Sequence, residues 1–156
     1  MYQAKRKGGA RHGVIDLREQ RTANTQANLI RDLRNAATQG QLRATYQPIV
    51  TTADGHITGA EALLRWDHPI LGAIGPETAI PLTERSDLIT DIGHWILTRA
   101  CLDRRNWQRR DDRHVPEITV NVSARQLMTP GFATTVADTL DKTDTDPALL
   151  TLEITE

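Results

Sequence analysis

Three oxygen-bearing side chains interrupt three otherwise apolar, strand-like runs: Glu61 in GAEALLRW, Asn121 in ITVNVSARQL and Glu153 in LLTLEITE. An isolated charge is very costly to bury, so a carboxylate inside such a run calls for a partner. Oxygen ligands at or near the ends of successive strands suit a hard divalent cation. The chemistry this implies is metal-dependent catalysis on a barrel-type scaffold, where functional groups sit at the C-terminal ends of strands. A structural reading competes with it. Glu61 could pair with Arg65 four residues on, and Asn121 could cap a loop.

The elements that must carry these residues alternate. Polar residues 17–25 read as a linker, followed by a helix from about Thr25 to Gln39. Leu29, Leu33 and Ala36 recur at helical spacing there, and Gly40 suits the position just past a helix end. Leu42–Val50 and Ile57–Trp66 read as strands joined by an Asp54-Gly55 turn, hence a hairpin, with Pro48 favouring a sheet edge. His68-Pro69 and Gly72 begin a loop. Pro76-Glu77 starts a helix running to about Arg85. A longer helix over Leu88–Arg109 carries Ile92, Trp95, Ile96, Ala100 and Trp107. Glu117–Val122 is a strand, Phe132–Leu140 a helix and Leu149–Thr155 a strand. Strand and helix in alternation predict a parallel sheet built by right-handed crossovers. No glycine-rich phosphate loop follows any strand, which disfavours the nucleotide-binding open sheets.

Bulk properties exclude several classes. The 156 residues suit a single domain, and a formal net charge of −1 gives no long-range basic field for a nucleic-acid polymer or an anionic membrane. No apolar run approaches a membrane span, and MYQAKRKGGARHG lacks the apolar core of a signal peptide. The single cysteine, Cys101, rules out an intrachain disulfide, and a bacterial cytoplasmic protein is the expectation. The five histidines show no metal-binding spacing and are expected to face solvent or lie in loops. Trp66, Trp95 and Trp107 are expected to be packing groups.

From YQPIV (46–50) onward the chain resembles the EAL-domain family of cyclic-di-GMP phosphodiesterases. The resemblance runs through G-EALLRW (59–66), HP (68–69), IPLTERSDLI (80–89), IGHWIL (92–97), AC (100–101), VNVSARQL (120–127) and LEITE (152–156). It implies a modified (β/α)₈ barrel with an antiparallel start. It implies Mg²⁺ or Mn²⁺ as cofactor, cyclic di-GMP as substrate and linear pGpG as product. Glu61, Asn121 and Glu153 match metal-binding positions of the family. Gln47, Leu63 and Arg65 match positions that contact the dinucleotide, Arg65 through a phosphate. The segment MYQAKRKGGARHGVID resembles the C-terminal tail of a GGDEF (diguanylate cyclase) domain.

The resemblance also sets the expected departures. The family's later motifs, an acidic pair in a D-D-F-G run, a catalytic lysine and further glutamates, do not occur. A full barrel takes about 250 residues. The expected organisation is therefore a GGDEF remnant over 1–16, a linker and connecting helix over 17–40, and the N-terminal half of an EAL domain over 41–156. The expected fold is α/β, a truncated TIM-like barrel of about four strands. No complete catalytic set is expected, and the chain alone is expected to be inactive. Candidate partners are cyclic di-GMP and a second copy or parent GGDEF-EAL chain. The alternative function is a non-catalytic remnant that binds the dinucleotide or dimerises.

Overall fold

The structure, a computed structural model, describes residues 17–110 and 116–155. Helix α1 spans Leu17–Ala36. It starts earlier than its apolar spacing indicates, because LREQRTANTQ contains neither glycine nor proline and is rich in good helix formers. Its end matches expectation. The Gly40 amide donates to the Ala37 carbonyl and the Gln41 amide to the Ala36 carbonyl, while Gly40 takes φ +67°. This paired closure satisfies orphan carbonyls and needs a left-handed residue, which glycine supplies at least cost.

Strands β1 (Leu42–Val50) and β2 (Ile57–His68) form the expected antiparallel hairpin. In its turn Gly55 sits at φ +71°, and the Asp54 carboxylate accepts from the Thr51 hydroxyl and the His56 amide. β2 runs past Trp66 and folds back through Pro69–Leu71 into a short strand β3 (Gly72–Ile74), a second hairpin where the sequence suggests only a loop. His68 explains it. Its Nδ1 accepts from the Ile70 and Leu71 amides at 3.2 and 3.1 Å, and its ring packs edge-on against Trp66. The expectation that the histidines face solvent therefore fails at His68, which is buried, with Nε2 3.4 Å from Asp32 Oδ2 on α1. It holds at His56 and His94, while His12 and His114 lie outside the described residues.

Helices α2 (Pro76–Glu84) and α3 (Leu88–Arg110) cross from this hairpin to β4 (Glu117–Ser123), which lies parallel to β2. A single turn, α4 (Ala124–Leu127), and then α5 (Phe132–Thr143) lead to β5 (Leu150–Thr155), parallel to β4. The result is a five-stranded mixed sheet in the order β1-β2-β4-β5, with β3 on β2, and it does not close into a cylinder. β1 is an edge, as Pro48 requires.

Burial alternates along β2, so its two faces differ in kind. Ala60, Ala62, Leu64 and Trp66 point to the helical layer and are buried. There, Leu33 and Ala36 of α1 join Leu64, Trp66, Leu82 and Ile92 in one apolar cluster. A second cluster, centred on Ala62, Ile96, Ala100, Ile118 and Val120, holds β4 to α3. The tryptophans pack as expected. Trp66 is fully buried and Trp107 meets Tyr46 edge-to-face at 4.6 Å. The Tyr46 hydroxyl donates to Asp103 at 2.6 Å, and Arg99 donates to the same oxygen at 2.9 Å, pinning α3 to the edge strand. The opposite face of β2 displays Glu61, Leu63 and Arg65, each half-buried.

Candidate active site

Glu61 sits mid-strand in β2, opposite Gln47 of β1 and beside Thr119 of β4. Asn121 of β4 lies level with Glu153 of β5. Residues level across a sheet share a face, and residues two or four apart on a strand do so too. Gln47, Glu61, Leu63, Arg65, Asn121 and Glu153 therefore all belong to the non-helical face. The Asn121 amide nitrogen donates to Glu61 Oε1 at 2.6 Å, joining β2 to β4 just above the point where their backbone pairing stops at Ala62 and Val120.

Glu61, Leu63, Asn121 and Glu153 line one cleft of about 570 Å³. Gln47 and Arg65 do not line it; they lie on the same face to its side. The structural reading of Glu61 is not realised. The Arg65 guanidinium donates to the Leu64 carbonyl at 2.9 Å, and no lysine or arginine among the described residues pairs with Glu61. Asn121 does not cap a loop either, since its amide is spent on Glu61.

The donor set fits a divalent cation in kind. A carboxylate offers about four lone-pair positions. Glu61 uses one of them for Asn121, and Glu153 stands exposed one strand away. The Asn121 carbonyl oxygen adds a neutral ligand of the type hard cations accept. Among the described residues no group of three His, Cys, Asp or Glu could hold a metal, so the set rests on two carboxylates and an amide.

Residues beyond the sequence reading complete the site. Ser123 ends β4 and caps α4: its hydroxyl accepts from the Gln126 amide at 3.2 Å, and Gln126 Oε1 accepts from the Ser123 amide at 3.1 Å. Both line the cleft. The S-x-x-Q spacing at 123–126 is the readable signal of such a reciprocal cap. From α2, Glu77 and Glu84 line the opposite wall. Arg125 anchors α4 to the Glu84 carbonyl and lies 3.7 Å from Asp87.

Known proteins match this arrangement. Residues 30–156 match the EAL domain family. An uncharacterized signaling protein of Caulobacter vibrioides is 38% identical over the whole chain, which spans 19% of that protein. The bifunctional diguanylate cyclase/cyclic di-GMP phosphodiesterase MucR of Pseudomonas aeruginosa is 39% identical, again over the whole chain, which spans 23% of it. The solved MucR phosphodiesterase, in complex with c-di-GMP, superposes with a TM-score of 0.78 at 40% identity, over 83% of this chain and 52% of that one. The chain thus spans about a fifth of these curated relatives and about half of the solved phosphodiesterase chain. With the match running across the hairpin, the cleft and β5, the chain belongs to the EAL domain family.

Proposed function

We propose that this chain carries one side of the active site of a cyclic-di-GMP phosphodiesterase. Glu61, Asn121 and Glu153 hold Mg²⁺ or Mn²⁺, and Gln47, Leu63 and Arg65 contact the dinucleotide. The observation behind this reading is the 2.6 Å link between Glu61 and Asn121, with Glu153 one strand away in the same cleft. When bound, such a cation activates water and offsets the negative charge of the phosphodiester. The chain's own residues do the rest. Arg65, unpaired with any carboxylate among the described residues, is free to turn its fork toward a phosphate oxygen. Leu63 supplies an apolar floor beside Glu61. The reaction adds water at one phosphorus and breaks one ester bond to ribose, giving linear pGpG.

On this reading the chain alone turns over little substrate. In-line displacement is commonly served by two metals that clamp both the attacking and leaving oxygens. Two carboxylates and one amide on an open sheet are few ligands for that task. The setting we infer is second-messenger signalling in a bacterial cytoplasm, with a parent GGDEF-EAL chain or a second copy as partner. No helix among the described residues is long and apolar enough to cross a membrane. The test is calorimetric titration of the 156-residue chain with cyclic di-GMP and Mg²⁺, with chromatography of the mixture for pGpG. Saturable binding with little product is the expected result. Rapid turnover would overturn the inactivity, and absence of binding would overturn the site.

A further inference from the structure

Two arginines meet on the non-helical face, where β1 begins and β2 nears its end. Arg43 of β1 stands directly across from Arg65 of β2. Side chains opposed in this way lie about 5 Å apart at Cβ, and like charges so placed repel each other. β2 carries two carboxylates, Glu61 and Asp67, and both share this face with Arg65. Glu61 lies four residues away and accepts from Asn121. Asp67 lies two residues away, about 7 Å along the strand, within the reach of an arginine side chain.

Arg65 nevertheless does not take that carboxylate. Arg43 takes it from the neighbouring strand, its Nε donating to Asp67 Oδ2 at 2.7 Å and its Nη2 to Oδ1 at 3.4 Å. The backbone of Asp67 is itself fixed, because its amide donates to the Gln41 carbonyl at 2.8 Å and the residue pairs with Ala73 of β3. The Arg65 guanidinium makes one hydrogen bond among the described residues, from Nη1 to the Leu64 carbonyl at 2.9 Å. A guanidinium has five N–H donors, so most of the fork remains for an incoming acceptor. Of the three charges, one cation therefore stays uncommitted, and it matches the single negative charge of a phosphodiester.

We propose that Arg43 is a positioning residue for Arg65: by occupying Asp67 it withholds the carboxylate that would otherwise capture Arg65, and leaves that guanidinium for a phosphodiester oxygen. The inference rests on the cyclic-di-GMP reading of this face. The Arg43 and Asp67 side chains are 52% and 49% exposed, so their pairing contributes little to stability. What the pair decides is which of two arginines is spent on the protein and which is kept for a ligand.

The test uses the full chain, with calorimetric titration of cyclic di-GMP in the presence of Mg²⁺ and, without ligand, the ¹⁵N resonance of the Arg65 Nε–H. Arg43→Ala is expected to weaken binding about fivefold, the scale of one exposed ion pair, and to shift the Arg65 resonance as its fork turns to Asp67. Combining Arg43→Ala with Asp67→Asn is expected to restore both the affinity and the resonance. Asp67→Asn alone is expected to change affinity by less than about twofold, because Arg65 is already free. Equal and opposite effects of the two single variants would mean that net charge alone acts, and would overturn the inference. A loss in Arg43→Ala that the double variant does not recover would overturn it too, since Arg43 would then touch the ligand or support the fold directly. So would an Arg65 resonance unmoved in Arg43→Ala. If the resonance moves as expected but the parent chain binds no cyclic di-GMP, the control of Arg65 by Arg43 is supported and the cyclic-di-GMP reading is overturned.

Discussion

Glu61 and Asn121 restrain each other through one hydrogen bond, which would preorganise them for the proposed role as cation ligands. Asn121→Ala would leave a half-buried carboxylate without its one hydrogen bond. The expected cost is about 1 kcal/mol in urea denaturation, together with weaker Mn²⁺ binding. Glu61→Gln removes a negative charge from the same point. It is expected to lower Mn²⁺ affinity by at least the roughly 10- to 100-fold lost when a group supporting a metal ligand is removed. If both variants bind Mn²⁺ as the parent does in calorimetry, neither residue is a ligand. Tyr46 offers a separate test. Burial, and then the hydrogen bond to Asp103, push its phenol above the ordinary value. The folded state therefore keeps a proton that the unfolded chain releases above about pH 10. This contribution is complete below pH 10 and lost as pH rises beyond it. Tyr46→Phe should cost about 1 kcal/mol near neutrality and flatten the alkaline fall in stability. An unchanged alkaline limb would refute this.

At the scale of elements, the strands were legible because their types and turns are local matters. Asp54-Gly55 and Pro48 announced the hairpin and its edge, and Pro76 announced α2. Two elements were not. β3 depends on His68 being buried against Trp66 and accepting two backbone amides, a tertiary arrangement with no periodicity of its own. α4 is one turn, too short for a repeating apolar pattern, and only its S-x-x-Q cap signals it. The site divides in the same way. Glu61, Asn121 and Glu153 stood out as polar interruptions of apolar runs. Gln126 did not, because its meaning depends on facing Gly93 from another helix. Gly93→Ala tests that contact. The new methyl would collide with the Gln126 amide and displace it from the Ser123 cap. A loss of about 1 kcal/mol, the worth of that cap hydrogen bond, is expected in urea denaturation, and full stability would show that the Gln126 amide swings aside at no cost.

At the largest scale, the sheet formed by the described residues is open. Among the described residues the outer edge of β5 has no partner, and Ile154 beside it is 58% exposed. Such an edge is a template for another strand. The 156-residue chain is expected to self-associate with rising concentration in sedimentation velocity. Ile154→Lys should reduce this association by placing a charge at the edge. A monomer throughout the micromolar range would contradict the expectation.

Helix α1 shares its cluster with Leu64 and Trp66, and Asp32 reaches His68 from the same helix. It is thus mortised into the strand that bears Glu61. A tether would absorb a twist applied from upstream, whereas a mortised beam would carry it. Rotation of α1 would tilt β2, and with it the spacing between Glu61 and Asn121 in the proposed cation site.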